Sequence, residues 1–317
     1  MARYIVRRVL ESIPTLILIT MVSFLLLHIA PGGPAEVMLG DKATPQLIAE
    51  INRNLGLAKP LYVQYAIWFW HLMQGNLGYS YDYHDSVMQL IGLNLPHTLI
   101  LVLTAIVISH LVAITLGVFQ AYRRSGPADH AITAVAYFLY SMPTFWLGLV
   151  LISVFGLNLG WFPVSGFAPP FDPTPSFWTI VHHLILPAAT LALVTIAGWS
   201  RFMRTSMSDA LAQDFIRTAR AKGASELRML IGHALKNALL PLITLAGLSV
   251  PALFSGALII EVVFDYPGMG LLFWNAANDR DYPVLLGITV LIGVLTILGN
   301  LLADLTYAWV DPRIKYT

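Results

Sequence analysis

The sequence contains no cysteine, and only 11% of its 317 residues are charged. The absence of cysteine excludes disulfide bonds, thiolate nucleophiles and thiolate metal ligands. A soluble domain carries roughly 25% charged residues, so this chain has too few to cover a water-soluble surface of its size. Its 57% hydrophobic content therefore predicts an all-α membrane protein whose surface is largely in contact with lipid.

Stretches free of Asp, Glu, Lys and Arg indicate the membrane spans. A helix needs about 20 mostly apolar residues to cross the ~30 Å hydrocarbon core. Six stretches reach this length when trimmed at clusters of Pro and Gly: 12–30, 98–121, 131–156, 181–200, 238–260 and 284–308. We predict six transmembrane helices, with kinks at Pro143 and Pro187.

A seventh charge-free stretch lies between Lys59 and Asp82. It is interrupted by polar side chains and by two glycines in its second half, and it is rich in Tyr and Trp, which suit the membrane–water interface. We predict a helix lying on the membrane, with Pro60 in its first turn. Two more helices are predicted nearby, one from Thr44-Pro45 to Gly56 and one capped by Asp85 that ends before Pro96.

The basic residues predict the orientation of the chain. With six spans and an inside N-terminus, 14 of the 18 Lys and Arg face the inside, and four face the outside: Lys42, Arg53, Lys59 and Arg280. This arrangement obeys the positive-inside rule. A seventh span would reverse the count if the N-terminus stayed inside, and would place Arg3, Arg7 and Arg8 outside if it did not. We therefore predict cytoplasmic termini, a single transmembrane domain over 1–317, and a helical extracytoplasmic insertion over 31–97 between spans 1 and 2.

The inside loop 201–237 carries seven of the 18 basic residues. Apolar residues recur in it at the spacing of one helix face: Ala212, Phe215, Ile216 and Ala219. Gly223 is placed to end that helix in a left-handed conformation, and Ser225 to cap a second helix from Glu226. The pattern predicts a helix–turn–helix that presents an apolar stripe to the cytoplasm. A basic loop lying on anionic lipid is the alternative interpretation.

Part of this loop resembles the EAA loop of ABC-importer permeases. That motif has two small residues, three others and a glycine, followed downstream by Leu-Pro. In RTARAKG and NALLP these positions hold Thr218 and Ala219, Gly223, and Leu240-Pro241. Arg217 replaces the usual glutamate and the distance from glycine to proline is longer, both of which occur in the branch that imports peptides and nickel.

Phrases along the whole chain resemble the B-type permease subunit of that branch: RYIVRRVLESIPTL, LGLAKPLYVQY, GNLG, SMPTFWLG, EVVFDYPGMG, RDYP and the final DPR. The resemblance implies the type I ABC-importer permease fold and a transport subunit with no chemistry of its own. It also implies dipeptides or oligopeptides as cargo, with nickel complexes or oligosaccharides as alternatives. The chain would be a multi-pass protein of a bacterial or archaeal cell (inner) membrane.

The resemblance further implies partners. These are a second homologous permease in a heterodimer, with spans two to five lining the path, two cytoplasmic ABC ATPases and an extracytoplasmic substrate-binding protein. ATP and magnesium would be bound by the ATPases, and this chain has no G-x-x-x-x-G-K sequence. The residues implied in ATPase coupling are Phe215, Arg217, Thr218, Ala219, Arg220, Gly223 and Ala224.

Residue patterns for other functions are incomplete. Neither H-E-x-x-H nor G-x-S-x-G occurs, and adjacent histidines such as His182 and His183 do not face one site on a helix. His110 lies in the middle of a span, where we expect a packed histidine rather than a proton relay. A stand-alone secondary transporter would show inverted repeats and buried carboxylates, and an intramembrane enzyme would need a buried nucleophile with a base. No catalytic or metal site is predicted.

Overall fold

The computed structural model describes residues 2–29, 32–170, 172, 174–239, 242 and 257–310, with side chains described between residues 10 and 301. Its named α-helices are α1 (Ala2–Ile29), α2 (Pro34–Leu39), α3 (Pro45–Asn54), α4 (Leu61–Met73), α5 (Val87–Tyr122), α6 (Pro127–Ser141), α7 (Thr144–Leu151), α8 (Phe177–Leu211), α9 (Asp214–Ala221), α10 (Met269–Asn278) and α11 (Tyr282–Val310). Residues 235–239 and 257–263 are also helical. Ile152–Asn158 and Arg228–Ala234 are π-helical. Within these ranges the sheet-type pairing is limited to one bridge, between Tyr79 and Ser86.

Among the described residues, four helices are long and apolar enough to cross a membrane: α1, α5, α8 and α11. The predicted spans 12–30, 98–121, 181–200 and 284–308 fall on these helices. The predicted span 238–260 lies largely outside the described residues. The membrane-helical fold class is therefore confirmed, whereas the count of six stays a prediction.

The predicted span 131–156 is broken at Pro143. α6 ends at Ser141, α7 begins at Thr144, and the two helical halves meet at 106°. Proline lacks an N–H donor and disfavours a helical conformation in the residue before it, and Met142 is indeed extended, with φ −79° and ψ 135°. The predicted kink is confirmed, but its size makes this segment a broken span or a re-entrant pair. The other predicted kink site, Pro187, lies inside α8, which continues through it.

Two of the predicted elements between spans 1 and 2 are present. Thr44 caps α3, since its hydroxyl accepts a hydrogen bond from the Leu47 backbone N at 3.4 Å, and Gly56 follows with φ +74°. α4 begins after Pro60 and has 13 residues, which is too short to cross ~30 Å of hydrocarbon.

The prediction of a helix ending before Pro96 was wrong. α5 begins at Val87 and runs through Pro96 to Tyr122. Its cap is Ser86 rather than Asp85, because the Ser86 hydroxyl accepts from the Gln89 backbone N at 3.2 Å. Helices in membranes tolerate an interior proline, since burial of a long apolar helix outweighs one missing backbone hydrogen bond.

The chain divides into two compact units, one of residues 1–98 with 267–298 and one of 99–266 with 299–317. Each unit has its own apolar core. The second unit contains a cluster that we call the loop core, because it lies under the loop 201–237. Its buried members are Ala121, Met203, Met207, Ala210, Ile216, Ala219, Met229, Ala234, Ala238 and Leu242.

α5 packs closely on α8 at Gly117. A Cβ atom at this position would lie 2.5 Å from Met203 Cβ and 2.9 Å from the backbone N of Arg204. Since a backbone atom cannot move aside like a flexible side chain, we expect Gly117→Ala to destabilise the protein by about 1–3 kcal/mol. The measurement is the midpoint of thermal unfolding of the purified protein in detergent.

Gly92→Ala on the same helix is the matched control, because a Cβ atom added at Gly92 would meet nothing within 4 Å. Alanine is the better helix former, so this change should leave the midpoint unchanged or raise it. Equal midpoints for the Gly117 and Gly92 variants would contradict close packing of α5 on α8.

Candidate functional site

The loop 201–237 folds as a helix–turn–helix. α8 continues into it as far as Leu211, the chain turns at Ala212-Gln213, and α9 covers Asp214–Ala221. The turn separates Ala212 from α9, so the prediction that it shares a helix face with Phe215, Ile216 and Ala219 was wrong. Asp214 favours the start of α9 at this position, because an acidic residue in the first turn complements the helix dipole.

Gly223 ends α9 as predicted. It has φ +77°, and its N–H donates to the Arg220 carbonyl at 3.0 Å while the Ala224 N–H donates to the Ala219 carbonyl at 3.1 Å. These two bonds form a Schellman motif, which requires a left-handed residue at this position. A Cβ on Gly223 would meet nothing within 4 Å. Backbone conformation, rather than space, therefore demands glycine here.

The second helix of the motif is also present. The Ser225 hydroxyl accepts from the Arg228 backbone N at 3.4 Å, and helical structure follows from Glu226 to residue 239. Its Arg228–Ala234 portion is π-helical. The Leu240-Pro241 part of the motif lies outside the described residues.

The apolar stripe of α9 faces this chain and not the cytoplasm. Ile216 is 2% exposed and Ala219 is 9% exposed, and both belong to the loop core. Ala224 packs against the same core. An isolated helix of eight residues is marginal in water, so α9 depends on this burial for its conformation. The predicted outward presentation of the stripe is thus corrected.

The outward face of α9 carries Phe215, Arg217, Thr218 and, just after the helix, Lys222. Phe215 is the one aromatic residue of α9, and its side chain is 39% exposed. Arg217 pairs with Asp214 at 3.3 Å, but both side chains are exposed, so this pair contributes at most about 1 kcal/mol. An exposed helix face with one aromatic residue and basic neighbours could dock into a groove of another protein through that aromatic anchor.

Arg220 lies at a cleft beside α9. Arg220 lines it together with Tyr122 and Glu226 over an apolar floor that includes Ile216 and Met229. The Tyr122 hydroxyl donates a hydrogen bond of 2.6 Å to the Glu226 carboxylate. The end of α5 is therefore tied directly to the start of the second helix of the motif.

A buried ion pair fixes the helix that leads into α9. Asp129, which is 1% exposed, accepts two hydrogen bonds of 2.7 Å from Nε and Nη2 of Arg204 on α8. The carboxylate also accepts hydrogen bonds from Gln120 Nε2 at 3.2 Å and from the Ser125 backbone N at 3.0 Å. Sequence reasoning missed this pair. The sequence nevertheless contained an indication of the pair, because Asp129 and Arg204 each lie just beyond the predicted inner end of a membrane span.

Histidines singled out in the sequence have separate partners. His110 Nδ1 lies 2.8 Å from the Ile106 carbonyl, and the ring packs on Trp199 with centroids 4.5 Å apart. His182 Nε2 lies 2.8 Å from the Trp161 carbonyl, and His183 Nδ1 lies 2.9 Å from the Thr179 carbonyl. The two adjacent histidines thus bond to different backbone groups.

Two phrases that carried the family resemblance meet in the first unit. The carboxylate of Asp281, from RDYP, accepts hydrogen bonds from the Ser80 hydroxyl and from the backbone N of Tyr81 at 3.1 Å. Ser80 is the second residue after GNLG and lies 201 positions before Asp281 in the chain. Burial of the Tyr81 phenol, together with the nearby charge of Asp281, raises the pKa of Tyr81 to about 12. This contact closes the segment between α4 and α5 onto the start of α11.

The sequence matches two family descriptions that together cover almost the whole chain. Residues 113–316 match "Binding-protein-dependent transport system inner membrane component" and residues 1–102 match the N-terminal region of the same kind of membrane component. The chain therefore belongs to the family of binding-protein-dependent transport system inner membrane components. It is a multi-pass permease subunit of an ABC importer and not an enzyme, since ATP is hydrolysed by separate ATPase subunits.

Full-length relatives agree with this family. The oligopeptide transport system permease protein AppB of Bacillus subtilis is 43% identical over 317 residues, covering all of both chains. The di/tripeptide transport system permease protein DppB of Pseudomonas aeruginosa is 39% identical over 334 residues, covering all of this chain and 99% of the relative.

Solved structures agree on the fold. A chain of the MetNI methionine ABC transporter in an inward-facing conformation superposes with a TM-score of 0.59 and 16% identity, covering 71% of this chain and 97% of that chain. An amino acid ABC transporter gives a TM-score of 0.54 at 14% identity, covering 70% and 94%. At these identities the likeness concerns the fold alone, which is that of type I ABC-importer permeases.

Proposed function

We propose that this chain forms half of a pathway that imports dipeptides or oligopeptides. The observation that carries the proposal is the end-to-end similarity to permeases named for oligopeptide and di/tripeptide transport. The other half would be a second, homologous permease in a heterodimer. The path would lie between the two permeases and would be lined by spans two to five.

We propose that the loop 201–237 is the coupling element. α9 would fit a groove of a cytoplasmic ATPase through Phe215, Arg217 and Thr218, with Gly223 setting the direction of the helix. Ala219 and Ala224 would act from inside, by holding α9 on the loop core. Arg220 would contribute at the rim, beside the cleft with Glu226. Because the apolar side of α9 is buried in its own chain, Phe215 would be the apolar anchor in the groove and the basic residues would lie around it.

The cargo is tested with the complete importer in vesicles. The chain is reconstituted with its partner permease, its ATPases and its binding protein, and ATP-driven uptake is measured for labelled dipeptides, a pentapeptide, a nickel complex and an oligosaccharide. We expect peptide uptake that requires both ATP and the binding protein. Uptake of the nickel complex or the oligosaccharide without any peptide uptake would contradict the proposed cargo. A stable homodimer of this chain that transports peptides would contradict the heterodimer.

The proposed orientation has the termini and the loop 201–237 in the cytoplasm and the segment 31–97 outside, within one permease domain over 1–317. Because the sequence has no cysteine, single cysteines can be introduced without a background. At Arg53, Asp172 and Asp279 they should react with an impermeant thiol reagent added from outside, and at Arg217 only after permeabilisation. Reaction of Arg53 and Ser86 variants from opposite sides would show that the stretch between them crosses the membrane.

A further inference from the structure

α4 offers an apolar face that no described part of the chain covers. Tyr62, Ala66, Trp70 and Met73 are spaced by four, four and three residues and so share one side of the helix. Tyr62 is 76% exposed, Trp70 66% and Met73 69%. No Asp, Glu, Lys or Arg occurs in Leu61–Met73. A face of this composition is not stable in water, so it requires an apolar or interfacial environment.

The opposite face of α4 rests on the C-terminal half of α1. Tyr65 Oη lies 3.1 Å from Thr20 Oγ1, Gln64 Oε1 lies 3.1 Å from His28 Nε2, and the Tyr65 and Phe24 ring centroids are 5.4 Å apart. The residues in contact span less than one and a half turns of α4 but more than two turns of α1. This difference is expected for two helices that cross rather than lie side by side. The contacts therefore run from Thr20, in the middle of the candidate span, to His28 near its C-terminal end.

The surface of α1 beside this crossing is itself lipid-facing. Its side chains include Leu25, Leu26 and Ile29, which are 47%, 62% and 66% exposed on a candidate membrane span. α1 and α4 thus both expose apolar side chains in this part of the first unit. Tyr and Trp concentrate where hydrocarbon meets the lipid headgroups, because their rings are apolar and their O–H and N–H groups remain hydrated.

We propose that α4 is an interfacial anchor, with its Tyr62–Trp70 face inserted among the lipid headgroups at the C-terminal end of α1. The partner of this surface is phospholipid, and not the binding protein or the second permease. The segment 31–97 is then held against the bilayer through α4, which restrains α1 from the side. With the orientation predicted from the basic residues, this leaflet is the extracytoplasmic one.

The test uses spin labels on single cysteines in the complete complex reconstituted in phospholipid vesicles. Labels go at Tyr62, Ala66 and Trp70, with Leu26 on α1 as the lipid-facing reference and Glu50, exposed on α3, as the aqueous reference. Leu26 matches Trp70 closely, since the two are 62% and 66% exposed. Oxygen, which concentrates in lipid, and a water-soluble nickel chelate are the two collision partners. Ala66→Cys is the mildest substitution and preserves the test if a variant at Tyr62 or Trp70 fails to assemble.

We expect labels on α4 to collide with oxygen about as often as the Leu26 label, and with the nickel chelate several-fold less often than the Glu50 label. A label at Tyr65, on the inner face, should collide rarely with both. Nickel collisions at Ala66 equal to those at Glu50 would place the face in water and overturn the proposal. Low collision rates with both reagents at Ala66 would mean that a protein partner covers it, which would also overturn the proposal.

Discussion

Gly223→Val should abolish most ATP-driven uptake while leaving the chain in the membrane. Gly223 has φ +77°, a conformation that costs a β-branched residue roughly 1–3 kcal/mol. The Schellman motif would open to relieve this strain, and α9 would change direction relative to the ATPase. Insertion should survive, since no membrane span is altered. The measurements are uptake in vesicles and the amount of ATPase retained by the purified complex.

Two variants separate backbone strain from side-chain bulk in this test. Gly223→Asn should retain much of the activity, because asparagine occupies left-handed conformations more readily than other non-glycine residues. Gly232→Ala is the matched control in the second helix of the same motif, where the added Cβ would only reach ordinary contact, 3.7 Å from Arg228 Cγ. Normal uptake and normal ATPase retention in Gly223→Val would remove the support for a coupling role.

Gly223 is a better position than Ala219 for testing ATPase docking, because the side of α9 that carries Ala219 faces the loop core. Ala219→Glu would bury a charge in the loop core and would unfold the motif whether or not an ATPase binds there. It is therefore a poor probe of docking. Thr218→Trp changes only the offered face, and it should reduce ATPase retention without lowering the thermal midpoint of the chain.

Arg204→Met should destabilise the protein strongly, although the arginine itself is only half-buried. It leaves the carboxylate of Asp129, which is 1% exposed, without its bidentate partner. Removing one member of a buried pair costs roughly 3–5 kcal/mol, and we expect the lower end because Arg204 is 34% exposed. Thermal unfolding in detergent gives the midpoint, and uptake should fall with it because Arg204 fixes the helix that leads into α9.

Arg201→Met, one turn earlier on α8, is the matched control. Arg201 stacks over the Tyr137 ring with its Cζ 4.4 Å from the centroid, an interaction of about 0.5–1 kcal/mol. The midpoint should fall only slightly. Arg204→Lys should be intermediate, since it keeps the charge but cannot form the bidentate geometry. Equal midpoints for the two methionine variants would show that the Asp129 carboxylate does not depend on Arg204.

Three predictions that rest on local chemistry were confirmed, although the predicted Asp85 cap was wrong by one residue. Thr44 caps α3, Gly223 ends α9 and Ser225 begins the next helix, because a cap or a left-handed glycine depends on a few neighbouring backbone groups. The membrane class follows from composition for a similar reason, since too few charges leave lipid as the only solvent for the surface.

Predictions that needed a three-dimensional neighbour failed. Pro96 did not end its helix, because a long apolar segment in a membrane protein keeps its helix despite one lost bond. The apolar stripe of α9 faces inward because Met203 and Met207 of α8 cover it. Those methionines lie in the preceding helix, so nothing in the α9 sequence itself indicates their position.

The sequence by itself determined the membrane class, the start of α3 at Thr44, the end of α9 at Gly223, and the family to which the chain belongs. Each depends on composition or on residues within a few positions of one another. Only the tertiary structure decided which face of α9 is offered to a partner, how far α6 and α7 bend apart, and that Asp129 pairs with Arg204 and Ser80 with Asp281. These contacts join residues 75 and 201 positions apart, and the folding of the chain, rather than local spacing, brings such pairs together.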